Sequence, residues 1–451
     1  MKIIKVIAAI LAALVALALV VVGTGLYLAN RYLQSAAFKE QALQAARKEF
    51  GAEVRIDDLK ASLFRGVELH GVTIGNPSGF SGNLVTAEAF VLRYRLLPLL
   101  SRRVEIEQLS LDKPVITLSQ NDRGQWNYES ICAAKGETEP KSATPAPAAP
   151  TKSGSSVPLD VVLTKLAVTR GALSMLDDSN KPLVKVEGID FSSSVSLTDN
   201  KLTASGKAGI DRIELSGKLI VQKAGAQVQL VPDQLTLPSL RGELAGGAIS
   251  GNVSVNFATG LLYAANVQLT NCNVAKLMQD AGAKETMSGT LNVSAALTGK
   301  GGVPTLIGNG RVEIDNGQFQ GNPILDLLGT VLQVDVLRDL SFDQCLIEYS
   351  ISNNVLQTPV IRIASPRVKI TGSGFVRLDK NSLNHNMTIT FPKSGLDGAL
   401  PGVSALFTEQ PDGSLTLDFK LYGTLNSPKT DLTKRLGQQF LQKGLQQLLG
   451  K

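Results

Sequence analysis

The chain has 451 residues, 43% of them hydrophobic, which is ample for a buried core; at 5% aromatic content that core must be built from Leu, Val, Ile and Ala. Lys and Arg outnumber Asp and Glu by 45 to 39, a mild excess, and no basic block is interleaved with aromatics, so no nucleic-acid partner is expected. Cys132, Cys272 and Cys345 form no CxxC pair and no disulfide framework; a single Cys272–Cys345 bridge and two buried thiols both fit their spacing.

Lys2 and Lys5 precede Val6–Leu28, an uncharged run of about 23 residues that is long enough to cross a bilayer core as a helix. A cleaved signal peptide would have a shorter apolar region ending at a small-residue site, whereas here Ala16–Ala18 lies inside the run. Residues 1–30 therefore read as an uncleaved anchor. The two lysines keep its N-terminus cytoplasmic by the positive-inside rule, and the remainder is exported despite Arg31, Lys39 and Arg47.

Arg31–Phe50 is rich in helix formers and stops at Gly51. From Glu53 the apolar period changes to two, with strands expected at Glu53–Asp57, Val67–Ile74, Val85–Tyr94, Val104–Leu111 and Pro114–Ser119. Asn76-Pro77-Ser78-Gly79 marks a turn. Residues 31–132 form this first β module. Residues 133–157, with Pro140, Pro145, Pro147 and Pro150 among Ala, Ser, Lys and Thr, lack the apolar residues to fold and read as a linker.

Residues 158–428 read as strand after strand. Leu291, Val293, Ala295 and Leu297 alternate with Thr290, Asn292, Ser294 and Thr298. Met387, Ile389 and Phe391 alternate with polar neighbours, as do Leu415, Leu417, Phe419 and Leu421. One apolar and one wet face is the antiparallel signature. An apolar-x-Gly-x-apolar pattern recurs around Gly217, Gly251, Gly289 and Gly423, and fits either points of sheet curvature or hairpin ends. Two later segments look helical. Pro323–Leu340 is apolar around most of its circumference and must be covered on several sides. Residues 429–451 carry Leu432, Leu436, Phe440, Leu445 and Leu448 at helical spacing with Lys434, Arg435, Lys443 and Lys451, an amphipathic helix that caps the sheet or meets a membrane surface.

Many half-apolar strands and few helices pose the question of what covers the apolar face. Two sheets facing each other as a sandwich are one answer. A single curled sheet whose trough is filled by acyl chains is the other. No catalytic or cofactor motif competes with these readings. His70 and His385 stand in strands without ligand partners at metal spacing and read as surface or half-buried residues, and no nucleophile elbow, phosphate loop or zinc motif is present. No enzyme activity and no cofactor are expected.

The N-terminal module resembles the AsmA-like proteins of Gram-negative bacteria. The matching stretches are Val54-Arg55-Ile56, Ala61–Gly66, Val72–Phe80, Leu97–Leu100, Leu109–Pro114 and Asp122–Asn127, the last holding the single Trp. Leu244–Gly247, Asp315-Asn316-Gly317 and Gly423–Pro428 extend the resemblance through the second module. It implies an inner-membrane anchor, a periplasmic body and kinship with the groove-shaped TamB-like and chorein-type lipid-transfer proteins. The expected fold is then mainly β, a transmembrane helix followed by a long curved antiparallel sheet forming an elongated groove. Such a groove grows by roughly 4.8 Å per strand, so about 20–25 strands would give on the order of 100 Å, a partial bridge across the periplasm.

On this reading Leu291, Val293, Leu297, Met387, Ile389, Leu415, Leu417 and Phe419 line the groove around phospholipid or other acyl chains. Arg93, Arg95, Arg102 and Arg103 are candidates for anionic headgroups, or form a solvated edge that discourages strand pairing. A periplasmic or outer-membrane protein is an expected partner. The alternative is a scaffold with a closed β-core that aids outer-membrane protein assembly without binding lipid.

Overall fold

The computed structural model describes residues 36–62, 66–95, 98, 103–129, 160–199, 201–258, 260–301, 303–392, 406–425 and 427–438. The anchor segment Val6–Leu28 lies outside these residues. Among the described residues, no helix is long and apolar enough to cross a membrane. The chain divides into two compact units, Met1–Leu237 and Pro238–Lys451.

In the first unit α1 (Ala36–Phe50) precedes β1 (Val54–Ser62), β2 (Gly66–Gly75), β3 (Asn83–Arg95), β4 (Arg103–Asp112) and β5 (Val115–Ser119). These five strands fall where the two-residue period places them. Next among the described strands come β6 (Asp160–Leu176), β7 (Pro182–Thr198), β8 (Lys201–Leu215) and β9 (Leu219–Val231). Neighbouring strands pair antiparallel, with one departure from the all-antiparallel expectation. β6 runs parallel to both β4 and β5, from Arg103 opposite Asp160 to Ser119 opposite Leu176. The reason is local. β4 and β5 are one strand interrupted at Lys113 and Pro114, where φ of Lys113 is 45° and proline has no N–H to donate. Both lie antiparallel to β3, so the chain must cross back from Ser119 before β6 can start beside Arg103. Such a connection takes a dozen residues or more, and the Pro/Ala/Ser segment supplies them.

The Asp122–Asn127 stretch turns against the end of β5. Asn127 is fully buried; its Nδ2 donates to Asn76 Oδ1 and to the Thr117 carbonyl, both at 2.8 Å, which ties the Asn76–Gly79 turn to the sheet.

The second unit contains β11 (Gly247–Asn256), β12 (Leu262–Asn273), α2 (Val274–Asp280), β13 (Met287–Lys300), β14 (Ile307–Gln320) and α3 (Pro323–Leu332). It continues through a 3-10 turn (Asp335–Leu337), β15 (Asp339–Ser352), β16 (Val355–Ala364), β17 (Lys369–Arg377), β18 (Ser382–Phe391), β19 (Thr408–Glu409), β20 (Leu415–Thr424) and β21 (Ser427–Thr430). Residues 432–438 are helical and are labelled α4. β10 (Gln234–Leu244) straddles the boundary between the units. From β11 to β18 each strand pairs antiparallel with the next, and β20 pairs with β18 on one edge and with β19 and β21 on the other. The strands of each unit belong to one sheet, not two, which removes the sandwich. Turn chemistry follows the residues: Asn353 and Asn354, with φ of 49° and 60°, form the two-residue loop between β15 and β16. Of the recurrent glycines, Gly217 sits in the β8–β9 hairpin end, while Gly289 (φ 127°) lies inside β13 at a register shift, a bulge that bends the strand.

Two expected helices depart from their apolar pattern. α3 starts as that pattern demands: Asn322 Oδ1 accepts the N–H groups of Ile324 and Leu325, and Pro323 occupies the first turn. It stops at Gln333, whose φ of 55° is left-handed, so Val334–Leu340 continues as a 3-10 turn and the start of β15 instead of helix. At the C-terminus Ser427–Thr430 is strand, and the remainder of the amphipathic segment beyond residue 438 lies outside the described residues.

Each unit has one buried cluster. In the first, α1 lays Ala42, Leu43, Ala46 and Phe50 on the inner face of β1–β4. In the second, Leu325, Leu328 and Leu332 of α3, Leu337 of the 3-10 turn, and Leu432 and Leu436 of α4 cover the inner face of β14–β20.

Candidate functional site

Residues directly opposite each other in a ladder point to the same face, so the register shows which side chains form continuous rows. In the second unit one row reads Ile249, Leu269, Val293, Val312, Ile347, Ile361, Gly372, Met387 and Phe419 across nine strands. A second reads Cys272, Leu291, Ile314, Cys345, Ile363, Ile370, Ile389 and Leu417. A third reads Ala265, Leu297, Gly308, Ile351, Leu356, Val376 and Leu383. Every position is apolar or glycine. The sequence-predicted groove residues therefore belong to shared rows: Val293 with Met387 and Phe419, Leu291 with Ile389 and Leu417.

Burial changes along each row. Met387, Ile389, Leu417 and Phe419 are buried in the cluster beneath α3, and Leu291 packs against its margin. Val293 and Leu297 are half-buried and belong to neither cluster, like Ile249 and Leu269 beside them. Leu415, opposite the fully buried Phe391, is half-buried at the end of β20. The rows thus run from a filled end at β15–β20 to an uncovered stretch at β11–β13. Ile249, Leu269, Val312, Ile347 and Ile361 were not singled out from sequence, although their strands carry the same alternation.

The first unit repeats the design by itself. Val54, Ile74, Val85, Ile116, Leu173, Val186, Ile213 and Val221 form one row from β1 to β9. Its β1–β3 members are buried under α1, and Ile213 and Val221 are half-buried outside the cluster. Leu163, Val195, Ala204 and Leu230 floor an open concavity of about 550 Å³ on β6–β9.

The arginines expected at headgroups carry carboxylate partners. Arg93 pairs with Glu68 at 3.5 Å, Arg95 with Glu107 at 2.6 Å, and Arg103 with Glu105 at 3.2 Å, the three arginines being exposed and Glu68 and Glu105 half-buried. Glu107 raises the Arg95 pKa through this hydrogen bond. Exposed pairs of this kind contribute little stability and exchange readily. Arg102 lies outside the described residues.

Cys272 and Cys345 are buried free thiols. They occupy the same row with Leu291 and Ile314 between them, three strand spacings apart, roughly 14 Å, far beyond disulfide reach. Burial pushes the Cys345 thiol up to about 11. His385 departs from the surface or half-buried placement expected of it. It is 7% exposed, because its ring lies over Gly374 of the neighbouring strand, where a Cβ would collide with it. Its Nε2 meets Thr358 Oγ1 at 2.8 Å. Burial lowers its pKa. Among the described residues no cluster of His, Cys, Asp and Glu is placed to hold a metal ion.

An inner face of apolar rows, partly filled by helices and partly open, can shelter hydrocarbon. No curated protein and no solved structure matches the chain. The family model of the AsmA family matches residues 1–209 and again residues 207–359, so the chain belongs to the AsmA family.

Proposed function

We propose that this AsmA-family chain is a non-catalytic, inner-membrane-anchored periplasmic protein that shields lipid acyl chains on the open stretches of its β-sheet, and so supports lipid transfer toward, or the homeostasis and assembly of, the outer membrane. The observation that carries this reading is the set of register-aligned apolar rows that leave the buried clusters and stay half-exposed at Ile249, Leu269, Val293 and Leu297. Each acyl methylene removed from water there gains about 0.8 kcal/mol. Headgroups would remain in water at the sheet's lip, so the chain needs no specific headgroup site. Arg93, Arg95 and Arg103 would exchange carboxylate for phosphate at little cost.

The filled end at β15–β20 favours a second reading for that region alone, a rigid scaffold that presents its outer surface to a protein partner. The two readings separate in one experiment. A photoreactive amino acid is placed in the full chain in cell membranes at Val293 or Leu297 on the inner face, and at the exposed Ser294 on the outer face. Acyl carriage predicts lipid adducts at the two inner positions and none at Ser294. Protein adducts alone would establish the scaffold.

A further inference from the structure

Among the described residues of the second unit, the large apolar side chains that stay exposed gather along one edge of the sheet. Phe257, Leu262, Ile307, Leu378 and Leu425 sit at its hairpin ends, with Ile307 57% and Leu425 51% exposed. The register puts these ends in line: Leu262 opposes Lys300, Val355 opposes Arg377, and Ser382 opposes both Arg377 and Thr424. Phe375 and Tyr422, also exposed, both oppose Asn384, and Ile307 opposes Thr298, so these three side chains stand on the polar face. One residue further in, Gly308, Ile351, Leu356, Val376 and Leu383 belong to the third inner row. This edge is therefore apolar on both faces. The opposite edge differs, because Phe319, Leu340 and Phe391 there are buried in the cluster that α3 covers. Scattered exposed apolar residues need no explanation, whereas a continuous rim of them marks an interaction surface.

Charge decides what the rim meets. The hairpin ends carry Lys300, Arg377, Asp379, Lys380 and Lys429. Arg377 is paired with Asp379 at 3.1 Å, which leaves the three exposed lysines without a carboxylate partner. A second copy docked edge to edge about a two-fold axis would set these lysines against their own kind. An anionic bilayer accepts both parts of the rim. Apolar side chains and a tyrosine suit the boundary between headgroups and acyl chains, and lysines on long stems reach the phosphates. We propose that this edge of the second unit docks onto the surface of an anionic phospholipid bilayer, with Phe257, Ile307, Leu378 and Leu425 entering the headgroup boundary and Lys300, Lys380 and Lys429 meeting phosphate. The docking goes beyond acyl shielding and does not require it, since the rim lies outside the inner rows. Where both operate, an acyl chain would pass from bilayer to sheet without crossing water.

The test uses full-length protein in vesicles of phosphatidylethanolamine and phosphatidylglycerol that contain nitroxide-labelled phospholipid. A fluorescent amino acid is installed by codon suppression at Ile307 or Leu378, and as a control at Arg367, exposed at a hairpin end of the opposite edge. Quenching is expected at Ile307 and Leu378 and not at Arg367. Ile307 lies on the polar face, so lipid held by the inner rows does not account for its signal. A lysine beside an anionic surface contributes about fivefold in binding, so Lys300→Gln, Lys380→Gln and Lys429→Gln together should weaken docking on the order of 100-fold. Phosphatidylcholine in place of phosphatidylglycerol should act alike, and Leu378→Ser with Leu425→Ser should weaken docking in protein that keeps its circular dichroism. Ile307 and Leu378 left unquenched, equal quenching at Arg367, or quenching unchanged in the triple variant overturns the proposal; an edge unquenched because a second copy or another protein covers it does so equally. Photocrosslinking at Val293 is run on the same preparations. Lipid adducts there with an unquenched edge defeat the docking alone, and a quenched edge without adducts defeats acyl shielding alone.

Discussion

Leu417 and Val293 stand on adjacent rows of the same face, yet one is 2% exposed in the cluster under α3 and the other is half-buried outside it. Charging each of them should therefore have opposite consequences. Leu417→Lys buries an ammonium beside Ile389, with no carboxylate among the clustered residues to pair with it. An unpaired buried charge of this kind costs about 4 kcal/mol or more, a large part of the roughly 5–15 kcal/mol that stabilises a domain. Val293→Asp keeps its carboxylate in contact with water and should cost about 1 kcal/mol. It would, however, put a charge among Leu269, Val312 and any bound hydrocarbon. Losing three methylene contacts amounts to about 2.4 kcal/mol, a fall in occupancy of roughly 50-fold. The single tryptophan, Trp126, lies in the first unit and is blind to this change, so hydrogen exchange of peptides from β18 and β20 is the assay for folding, and lipid adducts at Leu297 the assay for function. Leu417→Lys should release protection across β18 and β20, whereas Val293→Asp should retain it and lose the adducts. Loss of protection in Val293→Asp would refute the reasoning, because it would mean that the face at β13 is also closed.

Other expectations follow from single residues. His385 is held neutral by burial, whereas the unfolded chain takes up a proton near pH 6.5; stability of the second unit is full above that pH and falls below it by up to about 1.4 kcal/mol per pH unit. Urea unfolding followed by circular dichroism between pH 7 and 5.5 should show this slope, and His385→Leu should flatten it. Gly374→Ala would drive a methyl into the backbone of Asn384 and His385, and should destabilise the second unit by about 2 kcal/mol; an unchanged urea midpoint would contradict it. Asn322→Ala removes the cap of α3 and should cost about 1 kcal/mol, read as faster exchange of the Ile324 and Leu325 amides. Maleimide at pH 7.5 followed by peptide mapping should leave Cys272 and Cys345 unmodified in the native chain, since burial raises both thiols.

Strands were legible wherever one face is wet. The alternation of β13, β18 and β20 named Leu291, Val293, Ile389, Leu417 and their neighbours, because the two-residue period records which face each side chain meets. The extent of filling was not legible, since Val293 and Met387 have the same local pattern and differ only in whether α3 lies above them. The end of α3 was hidden for a related reason: Val334 and Val336 prolong the apolar run, while the left-handed Gln333 that ends the helix carries no special residue type. His385 was misplaced because the room for its ring comes from Gly374, on another strand. The parallel seam of β6 depends on where the chain returns after a segment whose composition says nothing about direction.

That seam has a kinetic consequence. Most strands here zip onto a sequence neighbour through a short turn, whereas β6 must find Arg103 from Asp160, positions some 57 residues apart. In the unfolded chain, closing a loop of that length costs about 3–4 kcal/mol beyond a constant. The seam should therefore form late, after β1–β3 and β7–β9 have each become hairpin stacks, and it should set the folding rate of the first unit. Halving that 57-residue loop would lower the closure cost by only about 0.6 kcal/mol, less than threefold in rate. The Pro/Ala/Ser segment is thus free to drift in length and composition so long as it spans from Ser119 back to Asp160, whereas a single-residue slip in the seam would turn every row of β6–β9 inside out.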